Sequence, residues 1–227
     1  MIVRARCGCA RAGVRELIDY FIDVLDERES DFGTRRDILS VLLQAEAEGQ
    51  LSRRGIIGYA ILLLTGGNET TTNLIGGMAI ALREHPAQLA RLADDPALIP
   101  NAIEEGLRYC SPVQAVYRRA TRDVEIAGQA IPAGSDLALM LGSANHDEAK
   151  FDRAEDFIVT RHTGGHTGFG MGVHHCLGAH LARLEARNAL GWLVPRLAAF
   201  EPRDETVTWN DTWFVRGPER LPYAWQN

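Results

Sequence analysis

Residues 169–178 read Phe-Gly-Met-Gly-Val-His-His-Cys-Leu-Gly. Two glycines in the first half, Gly170 and Gly172, allow the backbone to turn sharply and to approach a bulky partner closely. Cys176 is expected at the N-terminus of a helix, where free amides and the helix dipole favour a thiolate over a thiol. The stretch predicts a thiolate on a loop that lies against a flat group. The helix is indicated by apolar residues at spacings of four and three: Leu177, Leu181 and Leu184.

The composition is that of an ordinary globular protein. The 227 residues are 46% hydrophobic and 24% charged, which is enough apolar surface to form a core. The formal net charge of −6 argues against a protein that binds mainly nucleic acid or an anionic membrane surface. No apolar run of about eighteen residues occurs, so no membrane anchor is expected in this chain. The chain has four cysteines, Cys7, Cys9, Cys110 and Cys176. Their spacing is not that of an extracellular disulfide framework, which favours a location in the cytoplasm.

The residues alone leave three interpretations of Cys176 open. A lone cysteine is most often a small buried hydrophobe. Zinc is a second option because histidines lie nearby, although zinc sites usually show paired short spacings and only one cysteine is available here. The third, which the whole ten-residue context favours, is an axial thiolate ligand of haem iron. The histidines considered for zinc are His162, His166, His174 and His175.

The loop resembles the haem-binding loop of the cytochrome P450 superfamily, the haem-thiolate monooxygenases. The match includes both loop glycines and the basic residue two positions before the cysteine, His174. The resemblance implies haem b as cofactor and Cys176 as the iron ligand. It also implies that four further residues contact the cofactor: Phe169, Gly170, His174 and Gly178.

A long central helix is predicted between Ser52 and Pro86. Ser52 is a good N-cap, and the helix would be roughly 50 Å long at ~1.5 Å per residue. Arg53 and Arg54 depart from the acidic first turn that the helix dipole favours, at a cost of about tenths of a kcal/mol. The centre holds two glycines and several threonines, which cost ~1 and ~0.5 kcal/mol per residue in a helix interior. A kinked core helix and a functional segment both fit this pattern.

In the cytochrome P450 family the corresponding helix crosses the oxygen-binding face of the haem and carries two small residues, an acid and an alcohol in this order. Gly66 and Gly67 match the small pair, and Glu69 and Thr70 match the acid and the alcohol. The resemblance implies that the glycines leave room beside the cofactor, that Thr70 hydrogen-bonds dioxygen and that Glu69 relays protons. Glu69 and Thr70 are therefore the predicted catalytic residues.

The remaining pattern predicts a mainly α fold with small β-sheets, corresponding to the C-terminal part of a cytochrome P450-like fold. Further helices are predicted at 13–29, at 86–93 and at 97–109. Another is predicted to be capped by Asp37 and to end before Gly49. Residues 145–161 are expected to be irregular, and the helix after the cysteine is expected to end at Pro195. Short strands are predicted at 115–117, 124–126, 129–131 and 136–141, with a closing hairpin of 207–209 and 213–215.

Two polar positions take roles from the resemblance. Glu105 and Arg108 stand at i,i+3 on a predicted helix, where a solvated pair is the default. Their place between the central helix and the cysteine loop matches the Glu-x-x-Arg of the family and implies a structural role. Arg118 matches the family arginine that binds a haem propionate, for which the bidentate guanidinium fork is suited. Arg119 is the competing candidate, but strand alternation puts it on the opposite face.

By resemblance, two segments would contact a small organic substrate. The predicted contacts are Val113, Ala115, Val116, Trp213 and Phe214. Electrons are expected from a separate donor of the ferredoxin and ferredoxin reductase type. Arg183 and Arg187, at i,i+4 after the cysteine, are candidates for its docking face, with a simple solvated face as the alternative.

The predicted domain organisation is an unassigned N-terminal tail, 1–12, followed by a single partial haem-thiolate domain, 13–227. Family members are longer at the N-terminus, which leaves two hypotheses open. One is a haem-thiolate monooxygenase that oxidises its substrate with dioxygen. The other is a truncated, non-catalytic remnant of the same fold with weak or no haem binding.

Overall fold

The computed structural model of the chain describes residues 2–30, 35–202 and 206–225. It divides into two compact units, residues up to 68 and residues from 69 onward. The predicted division at residues 12 and 13 stays a prediction. In the described ranges, no helix is both long enough and apolar enough to cross a membrane.

The first unit contains α1 (Ile2–Ser30), α2 (Ile38–Ala47) and the beginning of α3 (Arg53–Glu84). The first helix starts well before the predicted residue 13. The predicted cap of α2 is confirmed, because the Asp37 carboxylate accepts a hydrogen bond from the Ser40 amide at 3.0 Å. The three helices share a small apolar core: Leu25, Leu42, Leu43 and Ile56.

Ser52 caps α3 as predicted, since its hydroxyl accepts a hydrogen bond from the Gly55 amide at 3.2 Å. The basic first turn of this helix has a local compensation. Arg53 forms an ion pair with Glu29 at the end of α1 and lies 3.5 Å from the Glu46 carboxylate on α2. The charge that the helix dipole disfavours is therefore met by acids from two neighbouring helices.

The second unit is built on the rest of α3, on α4 (Pro86–Asp94), α5 (Ile99–Tyr109) and α7 (Ala179–Leu197). The predicted helix at 97–109 begins later, because the Asp95 carboxylate accepts a hydrogen bond from the Ala97 amide and Pro96–Leu98 forms a 3₁₀ turn. The last helix runs past Pro195, which lies in its final turn and does not end it. The shared core includes Leu74, Met78, Leu82, Leu92, Ile103, Leu107, Leu190 and Leu197.

Short antiparallel pairs flank these helices. β1 (Ala115–Arg119) pairs with β4 (Asp136–Met140), and β2 (Val124–Ile126) pairs with β3 (Gln129–Ile131), which confirms the predicted strands. Next come α6 (Leu141–Asn145), then turns to the cysteine loop, and β5 (Phe200–Pro202) paired with β8 (Tyr223–Trp225). The mainly α fold with small sheets is as predicted.

The predicted closing hairpin is wrong in its second strand. β6 (Thr208–Trp209) pairs with β7 (Pro218–Arg220) and not with residues 213–215. The Asn210 side chain explains the wider loop, because it donates to the Val215 carbonyl at 2.8 Å and accepts from the Gly217 amide at 3.2 Å. Val215 bridges instead to Val113.

Candidate active site

The cysteine loop is closed by backbone hydrogen bonds. The Cys176 amide donates to the Phe169 carbonyl at 2.8 Å, the His175 amide to the Gly172 carbonyl at 3.1 Å, and the Gly170 amide to the Thr167 carbonyl at 2.8 Å. Both loop glycines adopt the left-handed conformation, with φ of +69° at Gly170 and +62° at Gly172. The loop therefore has a defined shape that L side chains at these two positions would oppose.

The position of Cys176 relative to α7 differs from the prediction. The helix begins at Ala179 with Gly178 as its N-cap, so Cys176 lies in the turn before the helix. The Ala179 amide still donates to the Cys176 carbonyl, at 3.3 Å. Gly178 has φ −84° and ψ 8°, which interrupts the helical geometry two residues after the cysteine.

The Cys176 thiol is exposed, in contrast to the buried cysteine of the first alternative. The predicted apolar stripe is exposed as well, whereas α7 contacts the core through other residues, among them Ala186 and Leu190. An exposed thiol within an apolar surface fits a large flat apolar cofactor with a metal centre. The exposed fractions are 68% for Met171, 98% for Val173, 70% for Leu177, 58% for Leu181 and 50% for Leu184.

The zinc alternative finds no support. Within the described ranges no group of three or more His, Cys, Asp or Glu side chains could hold a metal ion. His166 is hydrogen-bonded to Glu104 at 3.0 Å. His174 is exposed at the end of a 3₁₀ turn, Gly172–His174.

The glycine-threonine segment of α3 is regular helix, not a break. Gly66 and Gly67 are exposed, and a Cβ added at either would meet no atom of the described residues within 4 Å outside the helix's own backbone. The Thr65 hydroxyl donates to the Ile61 carbonyl at 2.8 Å, the back-bonding by which a threonine satisfies its hydroxyl inside a helix. Glu69 is exposed and Thr70 half-buried on the same helix. Their catalytic roles stay a prediction.

Glu105 and Arg108 form a fully buried ion pair, not a solvated one. The guanidinium donates Nε–H to Oε2 at 2.8 Å and Nη2–H to Oε1 at 2.9 Å. Arg108 also donates to the carbonyls of Asn145, Ala154 and Asp156 at 2.8–3.0 Å. These contacts tie α5 to the irregular segment before the cysteine loop, which supports the predicted structural role.

A further arginine joins this pair, and the sequence pattern gave no sign of it. Arg161 Nε donates to Glu105 Oε1 at 3.1 Å, and the Ile158 amide donates to the same oxygen at 2.8 Å. The Arg161 side chain is only 8% exposed. It lies 56 residues from Glu105 in sequence, so no helical or strand spacing could have indicated the contact.

The two arginines of β1 have different surroundings. Arg119 makes a bidentate ion pair with Asp136 across the sheet, at 2.7 and 2.9 Å. Arg118 donates to its neighbouring carbonyl, that of Tyr117, at 2.7 Å and is exposed. The Arg119 guanidinium is thus already paired with the Asp136 carboxylate. Arg118 has no such pair with Asp136 and is therefore favoured for the predicted propionate contact.

The two predicted substrate segments lie together. The Gln114 amide donates to the Phe214 carbonyl and the Arg216 amide to the Pro112 carbonyl, both at 2.7 Å. The rings of Tyr117 and Trp213 make an edge contact with centroids 5.4 Å apart. Within this pair of segments Ala115 is buried, Val113 and Val116 are half-buried, and Trp213 and Phe214 are exposed.

The chain is similar to known proteins of one family. The family model described as Cytochrome P450 matches residues 9–223. The chain is 43% identical over 215 residues to cytochrome P450 109 of Bacillus spizizenii, covering 93% of this chain and 53% of that protein. It is 38% identical over 212 residues to 6-deoxyerythronolide B hydroxylase of Saccharopolyspora erythraea, covering 92% and 52%.

Among solved structures, the chain resembles the crystal structure of CYP109E1 from Bacillus megaterium in complex with testosterone. The TM-score is 0.87 at 41% identity, and the match covers 92% of this chain and 54% of that one. The chain thus spans about half the length of the relatives it matches. Because the family model covers nearly all of the sequence and several relatives exceed 30% identity, the chain belongs to the cytochrome P450 family.

Proposed function

We propose that this chain carries the thiolate-ligand part of a cytochrome P450 monooxygenase, with Cys176 as the axial ligand of haem b. The observation that carries the proposal is the exposed Cys176 thiol on a loop closed by the hydrogen bond from its own amide to the Phe169 carbonyl. Family membership supports the same cofactor.

Several residues would hold the haem. Phe169 and the left-handed Gly170 would flank it on the thiolate side, with His174 and Gly178 on either side of the ligand. Arg118 would bind one propionate through its fork, since Arg119 is paired with Asp136. A bound haem supplies the redox chemistry by which dioxygen oxidises an organic molecule, and the thiolate donates electron density that favours O–O cleavage.

The chain's own residues would supply protons and space. Thr70 Oγ1 holds a hydroxyl proton within the helix, and the exposed Glu69 carboxylate can exchange protons with solvent. By the family resemblance, Gly66 and Gly67 would leave room for a substrate, since neither has a side chain. Glu105 and Arg108 would act structurally, by fixing the segment that leads to the cysteine loop.

The substrate is proposed to be a small, largely apolar organic molecule. The candidate contacts Val113, Ala115, Val116, Trp213 and Phe214 are all apolar, and apolar lining is typical of small-molecule sites. Relatives support this class: one is named a 6-deoxyerythronolide B hydroxylase, and another is solved with testosterone. The electron donor is proposed to be a separate ferredoxin-type protein in the cytoplasm.

Of the two candidate donor-docking residues, Arg187 is the stronger. Arg183 donates two hydrogen bonds to Glu104, at 2.6 and 2.9 Å, so its fork is already matched to a carboxylate. Arg187 is exposed one turn further along α7. We therefore expect charge reversal at Arg187 to slow reduction by an acidic donor at low ionic strength.

Haem reconstitution of the purified chain tests the proposal. Wild type should give a ferrous carbonyl band of the thiolate type, and Cys176→Ser should lose it. Cys110→Ser is the matched control, because Cys110 lies outside residues 169–178, at the C-cap of α5, where it packs against Gly77 of α3. A thiolate-type band that survives in Cys176→Ser would refute the ligand assignment.

The non-catalytic alternative has one observation in its favour. Much apolar surface around the cysteine is exposed, including Val173 at 98% and Leu177 at 70%, so this chain by itself covers little of a cofactor placed there. Gel filtration after reconstitution separates the two hypotheses. One haem retained per chain, with substrate oxidation when a donor is added, supports the enzyme; loss of haem on the column supports the alternative.

A further inference from the structure

Adjacent carboxylates on α5 hold different parts of the chain. Glu105 faces the irregular segment through Arg108 and Arg161. Glu104, one residue earlier, binds side chains on α7 and on the segment that enters the cysteine loop. Its partners there are Arg183 and His166.

The contacts of Glu104 are charge-assisted and specific. Arg183 donates Nε–H to Oε1 at 2.6 Å and Nη2–H to Oε2 at 2.9 Å, the bidentate geometry of strong arginine-carboxylate pairs. His166 Nε2 lies 3.0 Å from Oε2. Because His166 Nδ1 accepts the Gly168 amide proton at 3.1 Å, the ring carries its proton on Nε2 and donates it to Glu104.

This group of three side chains is partly shielded from water. The exposed side-chain fractions are 25% for Glu104, 32% for Arg183 and 9% for His166. Burial acts to raise the pKa of Glu104, but the hydrogen bonds from Arg183 and His166 outweigh it and hold that pKa at about 2. Glu104 is therefore ionised at neutral pH and keeps both partners engaged.

Arg183 extends the group to the loop itself. Its guanidinium carbon lies 4.6 Å from the centroid of the Phe169 ring, a cation-π contact. The carbonyl of that same phenylalanine accepts the Cys176 amide at 2.8 Å. A continuous path of contacts thus runs from Glu104 through Arg183 and Phe169 to the backbone of Cys176.

The segment before Phe169 is also seated closely on α5. A Cβ at Gly168 would lie 2.9 Å from the Leu107 carbonyl oxygen, so only glycine allows this approach. Side-chain pairs and backbone packing therefore fix the start of the loop on the same helix. A loop held at this end, with a left-handed glycine next to Phe169, has little freedom to place its cysteine elsewhere.

We propose that Glu104, Arg183 and His166 are positioning residues, which hold Phe169 and through it the Cys176 end of the loop in the conformation that presents the thiol. The role in ligand presentation rests on the proposed function, whereas the hold on the loop does not. Arg183 is thereby engaged in supporting the loop and is not a free docking residue.

Amide hydrogen exchange of the purified chain without haem tests the hold directly. Peptides covering 169–176 should exchange about tenfold faster in Glu104→Gln and in Arg183→Gln, as expected when a charge-assisted pair is lost from the closed state. Combining both changes should add little, because each removes the same contact. Arg187→Gln, on the same helix, is the matched control and should leave loop exchange unchanged.

Peptides from the core half of α3, residues 74–82, report whether a variant has lost its fold. If they also exchange faster, the conservative variant Arg183→Lys distinguishes loss of loop support from loss of the fold. Lysine keeps the positive charge but lacks the bidentate guanidinium, so exchange of the loop should still rise while exchange of residues 74–82 does not. Unchanged loop exchange in folded Glu104→Gln and Arg183→Gln would overturn the inference.

A second readout separates this inference from the proposed function. After haem is added, Glu104→Gln should shift the ferrous carbonyl spectrum from the thiolate type toward the thiol type, more than Arg187→Gln does. Faster loop exchange with no haem binding in any variant would leave the loop support standing and refute the proposed function. A normal thiolate spectrum with unchanged exchange would do the reverse.

Discussion

Arg108 and Glu105, one turn apart on α5, form an ion pair in which neither side chain is exposed to solvent. Three backbone carbonyls accept the remaining Arg108 protons, and Arg161 and the Ile158 amide share the carboxylate. Such a pair is costly to break, because removal of one member leaves the other charge buried without compensation.

We predict that Glu105→Gln lowers the free energy of unfolding by about 3–5 kcal/mol, because Arg108 and Arg161 both lose their counter-charge. Chemical denaturation measures this change. Asp136→Asn, which breaks the equally bidentate but exposed pair with Arg119, is the control and should have a much smaller effect. Equal effects of the two substitutions would show that burial does not set the strength of the Glu105 network.

The two left-handed glycines of the loop allow a matched comparison. Gly170→Ala should destabilise the loop more than Gly172→Ala, although both have similar φ. At Gly170 a Cβ would lie 3.2 Å from the His174 carbonyl oxygen, whereas at Gly172 it would meet no atom of the described residues within 4 Å. Each alanine must also adopt the left-handed conformation, which costs ~1–3 kcal/mol. Exchange rates of loop amides rank the two variants, and the opposite order would contradict the described loop.

The ionised Glu104 should make the stability of the fold sensitive to acid. Its folded pKa, about 2, is below its ordinary value of 4.5, so its contribution to stability is present above pH 4.5 and is lost as pH falls toward 2. Allowing for its partial exposure, that contribution is on the order of 1–2 kcal/mol. Wild type should therefore lose more stability than Glu104→Gln between pH 5 and about 3, measured by denaturation at each pH. Parallel pH profiles would contradict the assigned ion pair.

Replacement of Thr70 should lower the share of electrons that reach product during turnover. In a preparation that oxidises substrate with a ferredoxin-type donor, Thr70→Ala should divert electrons from product to peroxide, because the hydroxyl that we propose to deliver protons would be lost. Thr72→Ala is the control, since two residues along the helix place its side chain about 200° away. The ratio of product to reduced cofactor consumed measures the effect. An unchanged ratio in Thr70→Ala, or an equal loss in Thr72→Ala, would count against Thr70.

Elements with a local signal could be predicted from the sequence. Ser52 and Asp37 cap their helices as expected, and left-handed glycines such as Gly128 and Gly134 separate the short strands. The ten-residue cysteine motif was enough to identify the family. Helix starts were predicted less accurately, because a 3₁₀ turn at Pro96–Leu98 and the N-cap Gly178 each shift a boundary by two or three residues.

Contacts between distant residues could not be predicted. Arg161 lies 56 residues from Glu105, and Arg183 lies 79 residues from Glu104, so periodicity carries no information on either pair. The closing hairpin failed for a related reason. The hairpin was predicted to pair residues 207–209 with 213–215, but the Asn210 side chain bonds to the Val215 carbonyl and the Gly217 amide and holds a wider loop.

Iron X-ray absorption on the haem-reconstituted chain is the most direct test of Cys176 as the axial ligand. We predict a sulfur atom bonded to iron in wild type and in Cys110→Ser, and its loss in Cys176→Ser. A first shell of nitrogen and oxygen alone in wild type, or a sulfur ligand that remains in Cys176→Ser, would contradict it.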